Sequence, residues 1–234
     1  MTEWALGPAL AAFHAGVTVV AELAAQFTDD SWAAPTPCPE WRAADLAGHL
    51  RCMADDFNEY LDDAPASRLA RLMATGADAA RLARKLARQN AAELAALAEG
   101  QGPEHIAAFT ASARAYARRI PPVWDLPHHR YRDTVVTVGG MAGAACAEWH
   151  LHAWDLAQTL GKDYSPADPD LLAAGWQAGM PHLPLGVPVA VATCGAGPAG
   201  GSVGMAAERG GAWAVGPAGN GAWSALLRAS GRLA

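Results

Sequence analysis

Two proline-rich interruptions set the limits on what this chain can fold into. TDDSWAAPTPCPEW at 28–41 and IPPVWDLPHHRYRD at 120–133 cut a stretch that is otherwise rich in Ala and Leu. Proline removes a helix hydrogen-bond donor and clashes with the turn before it, so both interruptions are expected to be loops. The segments around them favour helix by propensity. Leu6, Leu10, Phe13, Val17, Val20 and Leu23 recur at helical spacing over 5–27. Further helices are expected over 43–62, over 66–99 with a break near Gly76, over 103–119, from about 137 to Gly161, and over 168–179. Pro103 suits a helix start, and Gly161 a helix stop.

After DYSPADPD the composition changes. VPVAVATC reads as a strand, SVGMAAERGGAWAVG as a hairpin around Arg209, Gly210 and Gly211, and AWSALLRASGRL as a closing helix. The expected class is therefore mainly α, with a helical bundle over residues 1–165 and a small α+β domain over 166–234.

Composition narrows the partners. The hydrophobic share of 52% against 17% charged is that of a chain with a packed core. A net charge of −6, with Lys85 and Lys162 the only lysines, argues against nucleic-acid or anionic-membrane binding, which needs clustered cations. The N-terminal apolar run is interrupted by His14 and Glu22 and has Glu3 where a secretion signal is basic. A cytoplasmic protein that neither enters nor spans a membrane is expected, as a monomer or homodimer. Cys38, Cys52, Cys146 and Cys194 are far apart and form no CxxC. Free thiols are expected, with no thiolate metal cluster.

Chemistry concentrates in AEWHLHAWDLA, residues 147–157. With about 100° per residue, Glu148 and His152 fall within roughly 20° of Met141, on the side that also carries Ala144, Ala145, Leu156 and Thr159. His150 and Trp154 point nearly opposite, to the outer surface or a secondary contact. An inward carboxylate and imidazole need a partner, and a divalent metal in a bundle interior suits both. A catalytic zinc site needs a third ligand. His49, on one stripe with Met53, Asp56 and Tyr60 of the second helix, can supply it. Asp45, one turn earlier, could hold the other ring nitrogen of His49. The plainer alternative is a bundle in which Glu148 and His152 pair with each other and no metal binds. Cys38 is expected to be a buried thiol, and His128 and His129 to be solvated loop residues. GAGPAG at 195–200 has the spacing of a dinucleotide-binding loop. However, GSVG and not a helix follows it, and 34 residues after Gly200 are too few for the rest of that fold.

PTPCPEWRAADLAGHL, followed about a hundred residues later by AEWHLHAWDLAQTLG, resembles the DinB-like superfamily, and within it the mycothiol-dependent maleylpyruvate isomerase family of actinobacteria. The resemblance implies a DinB-like four-helix bundle with a small α+β C-terminal domain. It implies His49, Glu148 and His152 as metal ligands. It also implies zinc, or another divalent metal, with mycothiol as co-substrate. The activity implied is that of a mycothiol-dependent isomerase or S-transferase acting on a small electrophile that carries carboxylates in the isomerase case. Arg84 and Arg232 are the expected carboxylate clamps, chosen from Arg81, Arg84, Arg88 and Arg232. Asp155 is expected beside His152, as its hydrogen-bond partner or in the core. A non-catalytic metal- or small-molecule-binding protein on the same bundle is the alternative. One departure from the family pattern is Arg42, which stands where the family has Thr or Ser, so this helix start must be capped differently.

Overall fold

The computed structural model describes residues 3–38, 41–63, 79–97, 101–181, 183, 185 and 221–233. Helix α1 (Leu6–Ala24) buries the stripe expected from its spacing, with Phe13, Val17 and Val20 almost wholly out of solvent. By length and composition α1 could cross a membrane, a better match than the expectation from His14 and Glu22 allowed. In this fold its Phe13–Val17–Val20 stripe belongs to the core.

The first proline-rich segment holds a one-turn helix, α2 (Asp29–Trp32). It forms because Thr28 and Ser31 cap one another: Thr28 N donates to Ser31 Oγ at 2.7 Å and Ser31 N to Thr28 Oγ1 at 3.4 Å. Trp32 then stacks on Phe27 with ring centroids 4.6 Å apart. Helix α3 (Ala43–Asp62) begins at Arg42, whose backbone N donates to Asp45 Oδ2 at 2.8 Å. The acid three residues on thus supplies the reciprocal half of a capping box, taking the N–H of residue 42 and not the first-turn N–H that Thr or Ser there would take. Helix α4 (Ala79–Ala96) and helix α5 (Gly102–Arg119) follow. Gly102 is required where it stands, because a Cβ there would lie 2.2 Å from the Trp32 ring.

The second proline-rich segment is not all loop. After a 3-10 turn at Pro121–Val123, strands β1 (Pro127–Tyr131) and β2 (Thr134–Thr137) pair antiparallel, with Arg130 opposite Val135 and Tyr131 opposite Thr134. Arg132 takes φ +51 in the turn between them. The prolines end at the strand's first residue, where a missing N–H costs nothing in the ladder.

Helix α6 (Val138–Thr159) is the centre of the molecule, with every residue but Thr159 buried. Thr137 caps it, its Oγ1 accepting from Gly140 N at 3.0 Å. Trp149 meets Phe13, Phe57 and Phe109 edge-on, and so joins α1, α3 and α5 through one side chain. The bundle is α1, α3, α5 and α6, with α4 lying against α3. Helix α7 (Pro169–Gly179) packs on α6 almost backbone to backbone, since a Cβ on Gly143 would sit 2.4 Å from Gly175 O. The last described element is helix α8 (Gly221–Ala229), which packs on α7. The expected strand at VPVAVATC, the hairpin around Arg209 and the GAGPAG turn lie outside the described residues. The expected boundary at 165 falls in the loop between α6 and α7.

Candidate metal centre

Three helices and one loop residue close around a cavity of about 80 Å³. From α3 come His49, Met53, Asp56 and Phe57. From α6 come Met141, Ala144, Glu148 and His152, the face predicted by the 100° arithmetic. From α4 come Leu86, Gln89, Asn90 and Glu93, and Met180 follows α7.

His49, Glu148 and His152 are each at least 95% buried. The His49 and His152 rings meet edge to face, centroids 5.2 Å apart, and Trp41 backs His49 at 4.7 Å. His152 Nδ1 lies 2.9 Å from Asp155 Oδ2. Asp155 is wholly buried, which pushes its pKa up. The charge of Arg232 and the hydrogen bonds from His152 and Arg232 outweigh that and hold it below 3.8. An ionised Asp155 can only accept, so the His152 Nδ1–H donates to it and Nε2 is left with its lone pair. The 3.1 Å approach of Arg232 Nη2 to His152 Nδ1 is then a contact and not a hydrogen bond.

That lone pair is the informative feature. His152 Nε2 is buried with no hydrogen-bond partner, and Glu148 Oε2 faces it at 3.6 Å, too far for a hydrogen bond. Direct pairing of Glu148 with His152 therefore satisfies neither group. His49 Nδ1 is also buried without a partner. The pKa of His49 is held well below 6.5, first by burial and then by the charges of His152 and Arg232, so its imidazole is neutral and can act as a ligand.

The other expected residues divide. Asp155 does hold the second nitrogen of His152. Asp45 does not hold His49: its carboxylate caps α3, and Nδ1 of His49 has no partner. Arg232 reaches the site but as an internal partner. Its Nε donates to Asp155 Oδ1 at 2.9 Å and its Nη2 to Oδ2 at 2.7 Å, so the carboxylate it clamps belongs to the protein itself. Arg84 is exposed, roughly 120–180° around α4 from the residues that face the cavity. Gln89, Asn90 and Glu93 were not singled out from the sequence, because a polar helical stripe reads as a solvated face unless the opposing helix is known.

Cys38 departs from expectation too. It is buried and disulfide-bonded, while Cys52 and Cys146 are not in disulfides. Distance along the chain says nothing of which sulfurs meet. Cys38 Sγ, His152 and Asp155 are the one trio among the described residues whose donor atoms lie within 4.8 Å of one another. A disulfide sulfur carries no thiolate charge, however, and Asp155 and His152 Nδ1 are already engaged with each other and with Arg232. The 3.3 Å approach of Cys38 Sγ to Asp155 Oδ2 is a packing contact.

His128 and His150 are buried and His129 is half-buried, where the loop pair was expected to be solvated. His128 stacks on Tyr60 with centroids 3.5 Å apart, and its carbonyl accepts from the Tyr60 hydroxyl at 2.6 Å. Its Nδ1 is 2.9 Å from that of His129. His150 is the secondary contact and not a surface residue: its Nδ1 meets the Tyr164 hydroxyl and its Nε2 the Ala12 carbonyl at 3.1 Å. Burial lowers all three from 6.5, His128 to about 3 with the help of the His129 charge, and His129 and His150 to about 4. The unfolded chain therefore takes up protons at a higher pH than the fold does. Stability from these neutral rings is full above pH 6.5 and is lost as pH falls from there towards 4. The urea midpoint is expected to drop clearly between about pH 7.5 and about pH 5. A flat profile over that range would show that these rings titrate normally.

The two motifs, the four-helix bundle and the pairing of His49 with Glu148 and His152 across it occur together, and a family model covers the stretch that holds them. Residues 13–157 match the mycothiol maleylpyruvate isomerase N-terminal domain. This chain belongs to that family. The match runs from Phe13 within α1 to Ala157 within α6, and so takes in every cavity residue except Met180. Comparison with curated proteins and with solved structures returns no match. The family relation therefore rests on the bundle and its motifs, and it connects the chain to mycothiol chemistry in general.

Proposed function

We propose that His49, Glu148 and His152 hold a divalent metal, zinc by the chemistry of the donor set, and that the protein uses mycothiol as co-substrate on a small electrophile, as an isomerase or S-transferase. Two imidazoles and one carboxylate leave a position open in a tetrahedral zinc site. When bound there, the metal would lower the pKa of an entering thiol so that it is held as thiolate near neutral pH. The observation that carries the reading is the facing pair, His152 Nε2 without a partner and Glu148 Oε2 at 3.6 Å, in a cavity that His49 also lines.

The chain's own residues supply the rest. Asp155 takes the Nδ1–H of His152, which aims Nε2 at the cavity and makes it a better ligand. Arg232 holds Asp155 ionised and in place. Met53, Phe57 and Met141 make part of the wall apolar, which limits water around a reactive sulfur. In the isomerase outcome the sulfur adds to one alkene carbon, the single bond so formed rotates, and elimination returns the thiol and the trans isomer. In the transferase outcome the neighbouring carbon takes a proton and the conjugate leaves. Both need the same thiolate.

The test is spectroscopic. Cobalt-loaded protein titrated with mycothiol is expected to gain a sulfur-to-metal charge-transfer band that saturates with the thiol. An unchanged spectrum would contradict thiol binding at the metal.

A further inference from the structure

We infer that the electrophile taken by this site carries an apolar arm that runs along the bundle away from the metal ligands. The inference rests on the thiol-activating reading above and names the substrate class of the same site. Helices α3 and α6 pass the cavity in opposite directions. Cys38, ahead of α3, approaches Asp155. The His49 ring meets that of His152, Phe57 meets Trp149, and Tyr60 meets His128, which lies ahead of α6. Lining residues after His49 on α3 and before Glu148 on α6 therefore lie to the same side of the ligands. With a rise of about 1.5 Å per residue, Met53 and Phe57 stand about 6 and about 12 Å beyond His49, and Ala144 and Met141 about 6 and about 10 Å beyond Glu148.

Two further segments close that end with apolar side chains. Met180 follows Gly179, where an added Cβ would sit 2.7 Å from that of Ala144, and it lines the cavity with Ala144 and Met141. Helix α4 meets α3 at Gly48, where an added Cβ would lie 3.0 Å from Leu94. Leu86, two turns earlier in α4, lines the cavity and so lies on the Phe57 side of that contact. Asp56, Gln89, Asn90 and Glu93 also line the cavity. Asp56, Asn90 and Glu93 each interact with another group of the protein, and the apolar arc of Met53, Phe57, Leu86, Met141 and Met180 is independent of them. Carbon atoms of a substrate placed on this arc leave water for apolar contact. Met is unbranched and adaptable, so three thioethers can repack around arms of different shape.

The experiment compares two electrophiles with one reacting group, methyl acrylate and hexyl acrylate. In both, the thiolate sulfur bonds to the terminal alkene carbon and the carbon beside the ester takes the proton that the thiol gave up, so each ends as a thioether. Each reacts with mycothiol in the presence of zinc-loaded full-length protein, and each kcat/KM is divided by the uncatalysed rate constant of the same ester. Acceleration of the hexyl ester is expected to exceed that of the methyl ester by at least about tenfold. Met53→Gln and Met180→Gln, at two half-buried positions, are each expected to narrow that ratio by slowing the hexyl ester, with zinc content kept. Equal or greater acceleration of methyl acrylate by wild type, or an unchanged ratio in both variants, would overturn the inference and leave thiol activation standing. Acceleration of neither ester would overturn it too, and the cobalt spectrum would then show whether the thiol-activating reading has fallen with it.

Discussion

Arg232→Met is expected to destabilise the folded chain by about 3–5 kcal/mol. The Arg232 side chain is 2% exposed and its partner Asp155 0%. Two donors hold that carboxylate, Nε at 2.9 Å from Oδ1 and Nη2 at 2.7 Å from Oδ2. Removing the guanidinium leaves a buried anion with His152 Nδ1 as its remaining hydrogen-bond donor. Burial alone raises the Asp155 pKa, so the variant gives up ionisation as well as the pair. In wild type the depressed pKa contributes stability that is present above 3.8 and is lost as pH falls through the lower folded value. In the variant the sign reverses: with burial no longer outweighed by Arg232, protonated Asp155 is favoured in the fold, and stability is lost as pH rises. Chemical denaturation at neutral pH, followed by circular dichroism, reads the effect. Arg232→Met combined with Asp155→Asn is expected to recover part of it, because no unpaired charge remains. A single variant within about 0.5 kcal/mol of wild type would mean that the pair is not formed in solution.

His152→Ala is expected to reduce the mycothiol addition rate more than about 100-fold, beyond the 10–100-fold that loss of a ligand's supporting partner costs. Glu148→Gln keeps the side-chain volume but removes the charge, and is expected to match it. Asp155→Asn leaves all three ligands in place and loses only the acceptor that orients His152. It is expected to fall between them and wild type, within the 10–100-fold range. This order separates ligands from the residue that positions one of them. Equal activity of wild type and His152→Ala, in protein whose helical signal is intact, would remove His152 from the site.

The parts of the molecule that could be read from the sequence are those with a local cause. The Phe13–Val17–Val20 stripe, the start at Pro103 and the stop near Gly161 follow from neighbours within a turn or two. So does the shared face of Glu148 and His152, since one helix fixes both directions. What could not be read depends on contacts between distant segments. Arg232 finds Asp155 across 77 positions, and a charge so close to the C-terminus looks like a substrate clamp until its partner is seen. Asp45 satisfies a local need at the start of α3, and that need outweighed the longer reach to His49. His128 and His129 looked solvated because of the prolines before them, yet the hairpin lays His128 flat on Tyr60. Glu93 was not singled out because nothing in α4 itself shows that it lines the cavity.

The most direct measurement is metal content by plasma mass spectrometry on untagged protein after zinc addition and dialysis, with His49→Ala, His152→Ala and Cys38→Ser measured beside it. The account predicts about one zinc per chain in wild type and in Cys38→Ser, and none in either histidine variant. No metal in wild type, or metal kept by His49→Ala and lost from Cys38→Ser, would contradict it.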